Sequence, residues 1–389
     1  MLFPSPAWIS VREISGFSPI ILRNKHTPML KSFDLWLPSY LGRTRLRRPQ
    51  GMPVHLLIAV CDHFEPFHGG GKNEAMVRVR EWREKFPKMA AQFCDADSHQ
   101  PKQTFFYPIE QYDPDVIASL GDLCRASGCE VEVHLHHQND SAENLQATLE
   151  KGKQALQSHG LLSKDAQGVV RYGFIHGNWA LDNSHPQGRF CGVDHELSIL
   201  NRTGCYADFT MPSAPDPTQT RIVNSLYYAK ESGRRKCHDT GCRVQVGKSP
   251  PENDLLLVQG PLALNWRWRK WGLLPRLENG DLTGANPPTP CRLQVWKDLN
   301  IHVEGRPEWV FAKLHTHGGV LRNSEMLLGE PMERFHRELT SLARNDPDFS
   351  FHYVTAREMV NILHAAEDGH SGDPGLYRDY RYQSLIERK

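Results

Sequence analysis

Short apolar runs punctuate the chain from Val54 onward, and each is followed by a longer stretch whose apolar positions recur at helical spacing. The runs predict strands over 54–61, 104–107, 129–136, 171–176, 205–209, 309–315 and 349–354. The stretches between them predict helices over 74–93, 113–127, 141–159, 194–201, 324–345 and 356–366. Two helix starts carry capping signals: Asp113 stands before Pro114, and Ser141 is followed by Asn144 and the apolar Leu145. Strand and helix in turn call for parallel strands joined by right-handed crossovers, hence an α/β barrel or an open doubly wound sheet.

Two regions break this rhythm. Residues 1–51 show weak periodicity and end in the turn-rich Pro49-Gln50-Gly51-Met52-Pro53, which reads as a boundary. Between Phe209 and Trp309 lie extra strand-like runs at 222–228 and 255–259, the segment Asn265-Trp266-Arg267-Trp268-Arg269-Lys270-Trp271, and the Pro-rich Asn286-Pro287-Pro288-Thr289-Pro290. The expected layout is an N-terminal extension (1–51), one α/β body (52–366) with an insertion over about 215–300, and a polar C-terminal tail (367–389). The tryptophans of the insertion either stack on sugar rings or cap the core beneath them.

Composition narrows the picture. The 389 residues suffice for a sizeable core, and 46 Lys+Arg against 45 Asp+Glu give no global charge that would favour nucleic acid. Nine cysteines, an odd number set within apolar runs, favour a reducing compartment over a disulfide framework. The spacing from Cys237 to Cys242, with no second pair nearby, does not match a structural zinc site. No apolar run is long enough to span a bilayer and no secretory signal is recognisable, so the expectation is a cytoplasmic protein. The basic run at 43–48 reads as a solvated linker.

The 20 histidines are the real excess, and they gather where strands end. Glu132-Val133-His134-Leu135-His136-His137-Gln138-Asn139-Asp140 closes one predicted strand, Asp62-His63-Phe64-Glu65 another, and His315-Thr316-His317-Gly318-Gly319 a third. Imidazole nitrogens and carboxylate oxygens are the ligands of a borderline cation such as zinc, and bursts of them at strand ends suit a site at the C-terminal rim of a β/α barrel. A single such histidine is more often a buried structural one; the force lies in three bursts at three strand ends. They predict a metal-dependent hydrolase.

These residues resemble the polysaccharide deacetylase superfamily. The resemblance implies a distorted (β/α) barrel of about seven parallel strands with an inserted segment. Its first motif, a strand ending in two aspartates, falls on Asp62-His63; its second, Glu-apolar-small-x-His with a further histidine downstream, places His136 and Asp140 on the two histidines. The implied roles are Asp62 as general base and His63, His136 and Asp140 as ligands of one divalent cation, zinc first, with cobalt, nickel or manganese as alternatives. A His and an Asp are exchanged relative to the family, which keeps two imidazoles and one carboxylate. His134 or His137 could replace a ligand, and Asp62 could bind metal with Glu65 as the base.

The last motif matches Lys313-Leu314-His315, implying His315 as general acid, with His317 as runner-up. The third motif is poorly matched at Phe174-Ile175-His176-Gly177-Asn178-Trp179, where His176 or Arg189 could stand in for a missing arginine; Asp208 answers the fourth. His176, Asn178, Trp179, Asp208 and His317 are the expected substrate-binding residues. The implied reaction removes an N-acetyl or O-acyl group from a saccharide. The rivals are a metal-dependent phosphoesterase or amidohydrolase holding more than one ion, and a non-catalytic carbohydrate-binding barrel.

Overall fold

The computed structural model describes residues 30–43 and 51–387, so most of the expected N-terminal extension and of the basic run lies outside the described residues. In chain order the strands are β1 (Val54–His63), β2 (Thr104–Pro108), β3 (Glu130–Leu135), β4 (Ser163–Lys164), β5 (Val170–His176), β6 (Cys205–Asp208), β7 (Leu226–Ala229), β8 (Gly241–Arg243), β9 (Leu255–Val258), β10 (Ala263–Lys270), β11 (Leu274–Glu278), β12 (Trp309–Thr316), β13 (Phe349–Tyr353) and β14 (Gln383–Ser384). The α-helices are α1 (Phe33–Gly42), α2 (Lys72–Ala90), α3 (Pro114–Ser127), α4 (Ala142–Ser158), α5 (Glu196–Arg202), α6 (Pro290–Leu299), α7 (Leu321–Leu327), α8 (Glu330–Asn345) and α9 (Ala356–Glu367). Among them, no helix is long and apolar enough to cross a membrane.

The central sheet runs in the order β12-β1-β2-β3-β5-β6-β9-β7-β8 and is mostly parallel. One edge of β1 pairs with β12; the other pairs with β13 over residues 54–58 and with β2 over 61–63. Among the described residues no ladder closes the sheet. Its far side nevertheless approaches β12 after β9, where a side chain on Gly260 would stand 2.5 Å from the Lys313 carbonyl oxygen. The expected insertion supplies sheet strands of its own: β9 pairs in parallel with β6, β7 pairs antiparallel with β9, and the Trp/Arg segment forms the β10–β11 hairpin. That hairpin leaves Trp266 and Trp271 exposed.

Alternation along the strands sorts side chains into two apolar layers. Leu56, Ile58 and Val60 of β1 face outward onto Trp82 and Phe86 of α2, in one cluster with Ile117, Leu149, Leu197 and Phe335 of the surrounding helices. Leu57, Ala59 and Cys61 face inward, with Phe106, Ile175, Phe311 and the α9 residues Met359 and Leu363. Each fully buried Leu, Ile, Val, Phe or Met among them contributes roughly 1.5–3 kcal/mol. The caps form as the sequence signals them: Asp113 accepts from the Asp115 and Val116 amides, and Ser141 from the Asn144 amide. The single helix expected over 324–345 is two helices, α7 and α8, because Gly329 and Pro331 interrupt it. Pro331 lacks the amide that a continuing helix requires, so it starts a new one.

The expected polar tail is polar in composition but packs against the body. Arg378 reaches Asp97 at 2.6 Å, Asp95 at 3.1 Å and Glu358 at 3.2 Å, and β14 pairs antiparallel with β4. Asn361 donates to the carbonyls of Arg378 and Tyr382. On α9, Arg357 pairs with Glu130 at 2.7 Å and Glu358 with Lys102 at 2.6 Å, all four buried. Charges this deep are retained only because each is paired and further hydrogen-bonded.

Glu132, on the inner face of β3, accepts from the Gly173 amide (2.5 Å) and the Tyr206 hydroxyl (2.6 Å), and burial pushes its carboxyl up to about 8. Between the ordinary glutamate range and about pH 8 the folded chain therefore holds a proton that the unfolded chain has released. Its contribution to stability is present at low pH and is lost as pH rises through that window. Denaturant titrations of Glu132→Gln are expected to show a smaller loss of stability between about pH 5 and about pH 8.5 than the parent chain. The difference is of order a few kcal/mol, at about 1.4 kcal/mol per unit; identical pH slopes would remove Glu132 as the cause.

Candidate metal centre

Three strands bring the histidine bursts together at their C-terminal ends. His63 continues the inner face of β1, His134 that of β3 and His315 that of β12, and the register pairs Cys61 with His315. The rings of His63 lie 5.0 Å from His134, 4.7 Å from His317 and 6.0 Å from His315; His134 and His136 are 4.6 Å apart. Glu65, just past β1, sets its Oε1 3.4 Å from Nε2 of both His134 and His136.

That spacing has a chemical meaning. Two atoms each ~2.05 Å from a tetrahedral ion stand roughly 3.3–3.4 Å apart, the edge of the tetrahedron. Hydrogen bonds behind the rings orient them the same way. His134 Nδ1 is 3.0 Å from the Ile175 carbonyl, which can only accept, so the proton sits on Nδ1 and the Nε2 lone pair points forward. His136 Nδ1 is 2.7 Å from Glu110 Oε1, the carboxylate-behind-imidazole arrangement of metal-bound histidines. Among the described residues the buried Nε2 atoms of His63 and His134 have no hydrogen-bond partner. The donor set of His134, His136 and Glu65, with His63 beside it, fits one borderline divalent cation.

Electrostatics agree. Burial, with His317 and His134 nearby, holds His63 neutral, far below the ordinary imidazole value. Burial works against the Glu65 carboxylate, but the His134 and His136 rings outweigh it and hold its pKa well below the usual range. For His136, burial is likewise outweighed, here by Glu110 and Glu65, which raise the imidazole to about 9.

The remaining expected residues are placed as follows. Asp62 projects to the outer face, where its carboxylate accepts from Gln103 Nε2 (2.5 Å) and the Gly318 amide (2.6 Å), and burial pushes it up to about 7. It stands behind the His317 loop and does not face the cluster. Asp140 is 3.2 Å from His137 Nδ1 and is held by the Ser141 amide and Asn144. The structure therefore does not gather His63, His136 and Asp140 as one ligand set; the carboxylate and imidazole that stand at ligand spacing from His136 and from each other are those of Glu65 and His134. His176 lies beside Glu196, and Asp208 is buried, accepting from Thr210. Arg189 reaches His185. Asn178 is exposed.

His315 and His317 line a cleft of about 530 Å³, with Trp179, residues 212–217, Asn279, Asp281 and Thr283. The segment 280–282 is held along β12 by His315: its amide donates to the Gly280 carbonyl (3.0 Å), and its carbonyl accepts from the Leu282 amide (2.8 Å). Asp281 is thereby set in the cleft wall, and burial pushes its carboxyl up to about 6. Glu110, Glu196 and Asp281 were not singled out from sequence. Glu110 had a signal, since it follows the run ending at Tyr107 as the bursts follow theirs; Asp281 had only an Asn-Gly-Asp turn.

Compared with known protein families and with curated proteins, the chain matches none.

A divalent cation held through His136 Nε2 would displace a proton from it, so cation affinity is expected to rise about tenfold per unit from about pH 6 to about pH 9. Competition with a chromophoric chelator measures this. Glu110→Gln, lacking the carboxylate that raises His136, moves the upper bend to lower pH; a pH-independent affinity would take His136 out of the ligand set.

Proposed function

We propose that this protein is a metal-dependent hydrolase that removes an N-acetyl or O-acyl group from a saccharide. The observation that carries the reading is the convergence of the His134 and His136 Nε2 atoms on Glu65 Oε1 at ligand spacing, next to an open cleft. A cation held by these residues would supply a water of lowered pKa and polarisation of an acyl carbonyl. The saccharide part of the reading rests on the resemblance of the strand-end motifs to the polysaccharide deacetylase superfamily and on Trp179 in the cleft wall, whose face suits a pyranose.

The chain's own groups divide the work. Glu110 and the Ile175 carbonyl keep the two imidazoles aimed. Asp62 is a positioning residue: it grips the Gly318 amide, while the Gly318 carbonyl accepts from Trp82 Nε1 (3.1 Å), so the His317 loop is tied to α2. Proton delivery, which the resemblance assigns to His315, falls in this reading to Asp281. Burial and the nearby Lys313 hold His315 neutral, whereas a carboxyl near 6 can give and take a proton close to neutrality.

A metal-dependent phosphoesterase is the second reading, because a cation at His134, His136 and Glu65 would activate water toward a phosphoester as well as toward an acyl group. Zinc-loaded protein is expected to release acetate from N- or O-acetylated oligosaccharides. Glu65→Gln is expected to lower that release by at least about a hundredfold with its circular dichroism unchanged. Phosphate release from phosphoesters in place of acetate would install the phosphoesterase reading, and saccharide binding with neither product would leave a binding protein.

Asp281→Asn is expected to keep full metal content and to lose the limb of the rate profile that titrates near pH 6. A rate profile matching the parent's would return the proton to another group.

A further inference from the structure

A second cluster lies on the opposite face of the same strand ends. Ile175 belongs to the inner layer, whereas Phe174 packs outward with Leu197, Ile199 and Leu200 of α5; His176, two residues on, shares the face of Phe174. There it meets Glu196 of α5 and His137, which follows β3. Glu196 Oε1 is 3.1 Å from His137 Nε2 and 3.9 Å from His176 Nε2, and the His137 and His176 rings are 4.8 Å apart.

Each group has its far side committed. His137 Nδ1 backs onto Asp140, which is fixed in turn by the Ser141 amide and Asn144. His176 Nδ1 is hydrogen-bonded to the Gly177 carbonyl, an acceptor only, so its proton is on Nδ1 and its Nε2 carries a lone pair. Glu196 Oε2 accepts from the Asp182 amide at 2.6 Å, which leaves Oε1 to face the two rings. His176 and Glu196 are fully buried.

An ion pair between His137 and Glu196 accounts for those two residues but not for the third. It leaves a fully buried imidazole lone pair on His176, without a hydrogen-bond partner, aimed at a carboxylate oxygen. Two acceptors facing each other at that distance repel, and a cation between them removes the conflict. Glycines allow the close packing: a side chain on Gly192 would overlap the His137 ring, and one on Gly177 the His136 ring.

We propose that His137 Nε2, His176 Nε2 and Glu196 Oε1 hold a second divalent cation, zinc-like in its preference for imidazole and carboxylate, separate from the one at His134, His136 and Glu65. None of its three ligands lines the cleft, so its role is to pin α5 and the segment 177–195 to the ends of β3 and β5. The proposal does not rest on the hydrolase reading.

Metal analysis of the full chain, stripped and reloaded with zinc alone, is expected to give two ions per chain. His176→Ala and the isosteric Glu196→Gln each drop to one, His134→Ala drops to one, and His134→Ala with His176→Ala drops to none. In His134→Ala, which keeps only the second centre, a chelator is expected to lower the thermal unfolding midpoint, and in the double variant to leave it unchanged. A parent chain holding one ion that both His176→Ala and Glu196→Gln retain would overturn the proposal while leaving the first centre intact. One ion lost in Glu196→Gln and none in His134→Ala would support this centre and remove the cation from the proposed hydrolase.

Discussion

An imidazole can offer a lone pair to a cation only if its other nitrogen has somewhere to put a proton, and this requirement organises the rim of the sheet. Strand ends are suited to meet it, because neighbouring backbone carbonyls there sit at fixed height. His134 uses the carbonyl of Ile175 on the adjacent strand, and His136 uses Glu110 from the turn after β2. Their free nitrogens are thereby aimed at Glu65, and the rest of the site follows from that aim. Were either Nδ1 bond lost, the ring could turn over and present its proton where the lone pair now stands.

The parity of β-strands then decides which residues can take part. One face of β1 carries Cys61 and His63 inward; the other carries Asp62 outward, between the sheet and α2. Adjacent residues in a strand point to opposite faces, so of the neighbours Asp62 and His63 one holds the scaffold and the other joins the histidine cluster. The same rule separates Ile175 from His176, and it sets polar side chains on both faces of one strand rim.

Much of this was legible in the sequence because it is local. Strand ends announce themselves as apolar runs stopping at polar residues, and Asp113 and Ser141 cap the helices that their spacing promises. The carboxylates were harder. Asp140 stands at the right distance in the chain to be a ligand, but the Ser141 amide and Asn144 claim one of its oxygens and turn the other toward His137. Glu65 stood inside a burst and Glu110 just past a strand, but only tertiary packing sets Glu65 and Glu110 against His136 and Glu196 against His137. The break at Gly329 and Pro331 was in plain view but hidden by apolar spacing that continues through it. Arg378, in the polar C-terminal segment, has the buried Asp95 and the part-buried Asp97 as partners, a distinction that composition does not record.

The ion pairs around α9 also tie distant parts of the chain together. Arg378 stands 283 residues after Asp95 and Arg357 stands 227 after Glu130. A backbone break between these partners would leave the buried carboxylates on one fragment and their arginines on the other, so the two pieces would stay attached by charge as well as by strand pairing.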